Sequence, residues 1–401
     1  MTEPEPGRKS DASLAFVVTD SITARYLLAG QLTFLARNGF EVSLICSPGR
    51  HLEEVRKRED VACYELPMDR DIRPFRDLRS LLGLWRILRR LRPDIVSAST
   101  PKAGLLGMLA ATLARVPTRV RTIRGLRLET TTGVKRLLLS LAERTASLCA
   151  HRVVCVSPSL RVEVSRRHLA APGKTLVLGS GSSNGVDLGR FRAQDDSDPS
   201  SLRRSLELTR ESLVVGFVGR LVGDKGIDDL VRAFESVVVR RLPSARLLVL
   251  GEVELLDSPS SDTLSFLRED SRILSPGFVD DTAPWYRVMD VLAFPSYREG
   301  LPNAPLEAAA SSVPTVGYAV TGTVDAVSSG KTGELVTPGD WRALGEALCR
   351  YLEDASLRDS HGAAALDRAG RLYSCDQVWE RWRAFYSSLP STASTGPEAR
   401  V

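Results

Sequence analysis

Val214-Val215-Gly216-Phe217-Val218-Gly219-Arg220-Leu221-Val222-Gly223-Asp224-Lys225-Gly226 is an apolar run that ends in a glycine-flexible loop carrying two cations. A helical pattern follows at once, with Ile227, Leu230, Val231, Phe234, Val237 and Val238 on one face. Strand, loop and helix in that order put the loop at the carboxyl edge of a parallel sheet, where open α/β folds bind ligands. Arg220 can fork two phosphate oxygens and Lys225 can bring a mobile point charge. The same cations would also serve as loop residues bonded to local carbonyls. No Gly-Lys-Ser/Thr closes the loop, so it is not a Walker A motif, and its glycines do not have the dinucleotide spacing.

The pattern repeats in both directions. Upstream, apolar runs at 14–19, 41–46, 94–98, 118–122, 152–156 and 174–178 alternate with helical segments, among them 27–38, closed by Gly39, and an arginine-rich helix at 76–92. Downstream the strands are expected at 246–250, 273–274, 291–294, 315–316 and 334–336. Such alternation argues for parallel sheets wrapped in helices. A chain of 401 residues exceeds one ordinary core, so the fold class is α/β with two domains. The polar segment 195–201 marks the linker, giving domains at 12–198 and 206–370, a terminal helical segment at 371–390, and a tail at 391–401 that reads as disordered.

A second motif lies some eighty residues further on. In Phe294-Pro295-Ser296-Tyr297-Arg298-Glu299-Gly300-Leu301-Pro302-Asn303-Ala304-Pro305-Leu306-Glu307 two carboxylates stand eight positions apart. Asn303 is expected to cap a helix over 304–311. Glu307 then sits about one turn in and Glu299 on the loop before it, so both can converge on one ligand. One would hold hydroxyls of a transferred sugar and the other a ribose. The loop N–H groups and the positive helix end offer a place for phosphate oxygens. Two solvated surface glutamates are the plainer alternative.

These two segments, with Gly277-Phe278-Val279-Asp280-Asp281 between them, resemble the retaining glycosyltransferases of family 4, which have the GT-B fold of two facing Rossmann-like domains. The resemblance runs from about Leu14 to the C-terminal helix. It implies that helix 376–389, with Trp379, Trp382 and Phe385, crosses back to the N-terminal domain. It also implies that Arg220 and Lys225 hold a donor diphosphate, that Glu299 contacts the donor sugar, and that Glu307 meets the ribose. Backbone near Phe278 and Val279 would meet the base, and Gly219, Gly300, Leu301, Pro302 and Asn303 complete the donor set. Arg220, Lys225 and Glu299 are the residues expected to carry catalysis.

In the N-terminal half, Ser99-Thr100-Pro101-Lys102-Ala103-Gly104-Leu105-Leu106-Gly107 and Gly181-Ser182-Ser183-Asn184-Gly185-Val186-Asp187 look like a subgroup acting in bacterial surface-polysaccharide assembly. Many such members add a sugar to a polyprenyl-diphosphate-linked acceptor at the cytoplasmic membrane face. The acceptor set expected here is Ser99, Thr100, Lys102, Arg124, Arg127 and Glu129, with 125–136 as a mobile acceptor loop. Salt bridges within a basic surface are the competing reading of these cations. Gly179, Gly181 and Gly185 miss the dinucleotide spacing by one residue, so their segment is read as a loop bordering the interdomain cleft, its turn shaped by Asn184 and Asp187.

Two departures from the family bear on mechanism. Thr19-Asp20-Ser21-Ile22-Thr23-Ala24-Arg25 has no glycine where many relatives are glycine-rich, which leaves Thr19 or Ser21 to offer hydroxyls. Thr122-Ile123-Arg124-Gly125 has no histidine where many relatives do, and Arg124 cannot act as a general base at neutral pH. His51, His151, His168 and His361 all lie outside the motifs and are expected to be structural or on the surface. Proton transfer to the leaving diphosphate itself is the expected route, with Arg220 and Lys225 stabilising the leaving charge. The triplets Asp69-Arg70-Asp71 and Asp196-Ser197-Asp198 lie away from the donor motifs, so no metal and no cofactor is expected. The substrate would be a nucleotide diphosphate-sugar, with a UDP-sugar the expected donor.

Composition fits a globular protein, with 43% hydrophobic and 26% charged residues. No stretch approaches the roughly 18 uninterrupted apolar residues of a spanning helix, and residues 1–11 lack a signal-peptide core. A cytoplasmic protein, peripheral on the inner face of the cell membrane, is expected. Six scattered cysteines without a Cys-x-x-Cys fit reduced thiols.

Residues 1–205 hold 34 Lys/Arg and 21 Asp/Glu, a net of +13, and the remainder nets −8. The basic half faces something anionic. Its arginine-rich helix fits either an anionic lipid surface or ordinary packing on the sheet. Nucleic acid is not expected, since no recognisable binding motif accompanies the charge. Beside the lipid-linked glycan acceptor, a soluble small-molecule acceptor or a catalytically silent nucleotide-sugar-binding scaffold remain as alternatives.

Overall fold

Strands buried on both faces need helices on both sides, and the apolar runs of this chain are of that kind. The computed structural model describes residues 12–69, 71, 73–192, 199–209, 211–254 and 257–390. The chain divides into two units, one of residues 1–184 with 376–401, the other of residues 185–375. The division therefore falls at Asn184 and Gly185, upstream of the polar segment 195–201, part of which lies outside the described residues. The tail 391–401 also lies outside them.

The first unit is built on β1 (Ala12–Val17), β2 (Phe40–Cys46), β3 (Ala62–Glu65), β4 (Ile95–Ser99), β5 (Thr118–Ile123), β6 (Arg152–Cys155) and β7 (Thr175–Leu176). All pair in parallel in the order β3-β2-β1-β4-β5-β6-β7. Leu14 on β1 sits between Val42 and Ile95, all three buried in one core. Strand β3 escapes the sequence reading because it is a short, half-exposed edge.

The second unit is built on β8 (Val214–Val218), β9 (Arg246–Leu250), β10 (Ile273–Gly277), β11 (Val291–Phe294), β12 (Thr315–Tyr318) and β13 (Gly333–Val336). Their order is β10-β9-β8-β11-β12-β13, again all parallel. In each sheet the order reverses beside the first strand, between β1 and β4 and between β8 and β11. Such a switch point opens a crevice at the carboxyl edge.

The single helix expected over 27–38 is instead two, Ser21–Leu27 and Gln31–Arg37. Asp20 caps the first through the Thr23 N–H at 2.9 Å. Gly30, at φ 74°, breaks the chain before the second, and a Cβ there would come within 2.6 Å of the Trp379 ring. The buried Glu59 carboxylate accepts from the N–H groups of Gly30 at 2.8 Å and Thr33 at 3.2 Å. It thereby satisfies donors that the second helix leaves open. A cap supplied from so far along the chain leaves no local signal.

The C-terminal helix Cys375–Ser387 belongs with the first unit from Asp376 onward. Val378, Trp382, Tyr386 and Leu389 join that unit's core beside Leu28 and Leu32. The Tyr386 hydroxyl and Ser97 Oγ share a hydrogen bond of 2.9 Å, and Trp379 Nε1 donates to Asn184 Oδ1 at 2.7 Å.

A buried ion pair lies under β5. Arg121, 2% exposed, donates to both Glu143 oxygens at 2.9 and 3.2 Å, and also to the Thr100 carbonyl at 2.9 Å. Its guanidinium rests on Gly104, where a Cβ would come within 1.6 Å of Nη1. Only a bare backbone admits the charge there. Removing one partner of such a pair leaves an uncompensated buried charge. Glu143→Ala is therefore expected to lower unfolding free energy by about 3–5 kcal/mol, measured by denaturant titration.

Candidate functional site

Strands β8 and β11 are neighbours, so the loops that leave their carboxyl ends must pass close to one another. Gly226 makes the approach possible. It adopts φ 68°, and a Cβ there would lie 2.0 Å from the Pro295 carbonyl. Across this contact the Tyr297 N–H donates to the Asp224 carbonyl at 2.8 Å, and Arg298 Nη2 donates to Asp224 Oδ2 at 2.6 Å. Lys225 Nζ is ion-paired with Glu299 Oε1, which also accepts from Ser296 Oγ at 2.7 Å. The ammonium stands 5.7 Å from the Phe294 ring centroid.

Beyond Glu299 the loop meets the exit of β12. Gly322, at φ 78°, has room for no Cβ, since one would lie 2.2 Å from the Gly300 carbonyl. Leu301 and Pro302 are buried. The helix then runs Asn303–Ala310, with Pro302 at the cap position and no side-chain cap bond. Asn303 is thus the first helical residue and not the expected cap. Gly219 ends β8 with its N–H bonded to the Leu250 carbonyl at 3.0 Å. Arg220 is about half exposed and pairs with Glu254 at 2.7 Å. An exposed pair of this kind is worth about 0–1 kcal/mol, so little holds Arg220 against a competing anion.

Glu307 has different partners from Glu299. Its Oε2 accepts from the Tyr286 hydroxyl at 3.0 Å and from Thr282 Oγ1 at 3.4 Å. Burial pushes its carboxyl above the ordinary value, while Tyr286, the nearby charge of Arg190 and Thr282 pull the other way. Burial, with Glu307 beside it, also raises the Tyr286 phenol. Sequence reasoning missed Arg190, on the short helix Leu188–Arg192, whose Nη2 donates to Asp281 Oδ1 at 2.6 Å. Burial disfavours the ionised Asp281, but Arg190 and the Ala283 N–H outweigh it and hold that carboxyl below its usual range. Asp187 accepts from the Arg190 N–H at 3.0 Å and so shapes its turn. Phe278, 39% exposed, and the partly buried Val279 follow the end of β10.

The residues expected to bind an acceptor lie in the first unit and have separate partners. Ser99 is buried at the end of β4. Thr100 adopts φ 71°, which strains a β-branched residue. A 2.6 Å hydrogen bond to Thr19 Oγ1 and the Arg121 bond to its carbonyl hold it there. The Thr19 hydroxyl is therefore engaged, and it also accepts from the Ala103 N–H at 3.3 Å. Ser21 is buried.

Lys102 turns towards helix Pro74–Leu91, pairing with Asp77 at 2.6 Å and donating to the Asp71 carbonyl. Arg124 turns the other way, to the Leu27 carbonyl at 3.2 Å, and burial lowers its guanidinium to about 10. Arg127 is exposed on the turn Arg127–Glu129, where Glu129 is half-buried. The expected mobile loop 125–136 is in part this turn and in part the start of helix Gly133–Cys149.

Two parallel, doubly wound units of this kind, with the terminal helix returned to the first, define the GT-B fold. Among solved structures the chain is similar to Anabaena HepE in complex with UDP-glucose, with TM-score 0.77 and 18% identity over 94% of this chain and 100% of that one. It is also similar to WaaG, described as a glycosyltransferase involved in lipopolysaccharide biosynthesis, with TM-score 0.71 and 14% identity over 94% and 100%. These likenesses concern the fold alone.

Residues 26–181 match the glycosyl transferase 4-like domain and residues 212–354 the glycosyl transferases group 1. The capsular polysaccharide biosynthesis glycosyltransferase CapM of Staphylococcus aureus is 35% identical over 363 residues, 90% of this chain and 94% of that protein. The UDP-Gal:alpha-D-GlcNAc-diphosphoundecaprenol alpha-1,3-galactosyltransferase of Escherichia coli is 27% identical over 329 residues, 82% and 84%. The chain belongs to the group 1, family 4-like glycosyltransferases.

The environment of Glu307 gives a pH signature. A raised carboxyl is one whose ionised form the fold penalises, so its contribution to stability is present below the ordinary carboxylate value and fades as pH rises through the raised one. Activity has the opposite sign if the ionised form accepts ligand hydroxyls. The acid limb of kcat/KM is then expected above the ordinary glutamate value. Glu307→Gln is expected to remove that limb and to lower the plateau by about 10- to 100-fold, read from pH–rate profiles of sugar transfer.

Proposed function

We propose that this glycosyltransferase moves a sugar from a nucleoside diphosphate-sugar, with UDP-sugars the first candidates, to a polyprenyl-diphosphate-linked glycan precursor. The transfer retains anomeric configuration, needs no metal, and serves bacterial surface-polysaccharide assembly. The observation that carries the reading is the pairing of Lys225 with Glu299 across the β8 and β11 loops. It presents a cation for a diphosphate beside a carboxylate for sugar hydroxyls. The relatives named for capsular polysaccharide and for diphosphoundecaprenol-linked galactose support the acceptor class, and the HepE complex with UDP-glucose supports the donor class.

The chemistry follows from charge. As the bond from the anomeric carbon to the phosphate oxygen breaks, its electron pair leaves with the diphosphate, and in this reading Lys225 and Arg220 stabilise that charge. The acceptor hydroxyl attacks the same face and its proton passes to the departing phosphate oxygen, so no side-chain base is needed. Glu307, held by Tyr286, accepts from ribose hydroxyls, and the first N–H groups of helix Asn303–Ala310 face phosphate. Among the described residues no helix is long and apolar enough to cross a membrane. The peripheral place on the cytoplasmic face of the membrane that we propose rests on the lipid-linked acceptor class of the relatives.

Purified protein incubated with polyprenyl-diphosphate glycans and a panel of UDP-, GDP- and dTDP-sugars is expected to add one sugar from one donor, read as a mass gain. The product's anomeric proton coupling is expected to match the donor's, and EDTA is expected to leave the rate unchanged. Lys225→Ala is expected to lower kcat by about 10²- to 10³-fold. Mass gain only on soluble acceptors would refute the lipid assignment. Donor binding without turnover would make the protein a silent scaffold. Activity lost in EDTA and restored by magnesium or manganese would refute metal independence.

A further inference from the structure

Helix Gly133–Cys149 faces the wrong way for a helix of a globular protein, which ordinarily turns its apolar stripe inward. The residues it buries are Glu143, Ala146 and Ser147. Its apolar stripe, Val134, Leu137, Leu138, Leu141 and Leu148, points outward, with exposures of 51–76%. The spacing of these five puts them on a single face. The inward carboxylate is explained by Arg121, which it neutralises.

Helix Pro74–Leu91 repeats the feature. Phe75, Leu78 and Leu82 are 92%, 54% and 42% exposed, again at one-face spacing. Both helices pack against Pro101–Leu113, one on each side. Each starts after the carboxyl end of a parallel strand, Pro74 after β3 and Gly133 after β5, so their first turns lie at the same edge of the sheet. Of the fourteen large hydrophobic residues exposed among the described residues, nine are on these three helices, so the apolar surface is concentrated and not scattered. Such a concentration marks an interaction surface.

Cations surround the apolar residues. Arg73, Arg76 and Arg79 lie about Phe75, the first two sharing Asp69 at 3.7 and 3.1 Å, and Lys135 and Arg136 adjoin Val134, all five cations exposed. The carboxylates of these two helices are Asp77, paired with Lys102, and the inward Glu143. An isologous contact with a second copy would bring like charges together. An anionic bilayer satisfies both features, since apolar side chains enter the acyl boundary while cations meet headgroups.

We infer that the outward stripe of helix Gly133–Cys149, with Phe75, Leu78 and Leu82 of helix Pro74–Leu91, is a docking surface for an anionic lipid bilayer. This goes beyond the arginine-rich helix that the sequence singles out, because the larger apolar stripe is on the other helix. It deepens the reading of a lipid-linked acceptor and rests on it for its purpose.

The test is flotation of the full chain with vesicles. Wild-type protein is expected to partition onto phosphatidylglycerol-containing vesicles at least about tenfold better than onto pure phosphatidylcholine. A variant carrying Leu137→Ser, Leu138→Ser and Leu141→Ser, all exposed positions, is expected to lose about tenfold or more of that partition. A second variant with Lys135→Glu and Arg136→Glu is expected to lose the preference for anionic lipid. Equal partition of wild type and the serine variant would overturn the inference, as would absence of wild-type binding. A wild-type dimer that the serine variant converts to monomer would also overturn it, in favour of a second copy. Donor turnover on a short-chain, water-soluble acceptor, measured without vesicles, separates the two readings. Its absence in wild type would sink the transferase assignment and leave the vesicle result standing.

Discussion

The ion pair of Lys225 and Glu299 joins two loops whose residues are far apart in the chain and adjacent only because β8 and β11 are hydrogen-bonded neighbours. Its side chains are 20% and 12% exposed, so each charge depends on the other for the solvation it has lost. Around it the backbone is shaped for contact. Gly226 lies against the Pro295 carbonyl and Gly322 against the Gly300 carbonyl. The Asp224 carbonyl and carboxylate tie down Tyr297 and Arg298. The loops from three strands are thereby tied together along one edge, and such ties favour preorganised binding of an anion.

The second carboxylate works in a different setting. Glu307 depends on burial and on Tyr286, which Phe191 touches edge-on at 5.8 Å between ring centroids. Arg190, next to Phe191, pairs with Asp281 and lends Glu307 a nearby positive charge. The short helix that carries both residues thus supports the part of the site where the resemblance puts base and ribose. One carboxylate is matched by a cation, and the other is raised by burial and bonded to a phenol, so the two environments suit two different ligand groups.

In the first unit the corresponding tension lies at the end of β4. Thr100 is held at a positive φ by Thr19 and by Arg121, and Arg121 is in turn neutralised by Glu143 from a helix whose apolar side faces outward. A single buried charge thus links the strained strand end to the orientation of an exposed helix. Lys102 and Arg124, which look like one basic cluster on paper, turn to Asp77 and to the Leu27 carbonyl respectively.

What the residues determined by themselves was periodicity and local chemistry. Apolar runs between helical patterns were enough for the strands of both sheets except the half-exposed β3, and the Gly219 to Gly226 and Phe294 to Glu307 segments were enough for the family. Local order could not show which charges meet, because pairing depends on strand adjacency. The Glu59 cap of a distant helix, the Arg121–Glu143 pair and the place of Arg190 beside Asp281 all link residues that only the folded sheets bring together. Nor could periodicity show which way helix Gly133–Cys149 faces. A stripe of leucines has the same spacing whether it lies in the core or in water, and only the fold shows this helix turning Glu143 in to Arg121 and its leucines out.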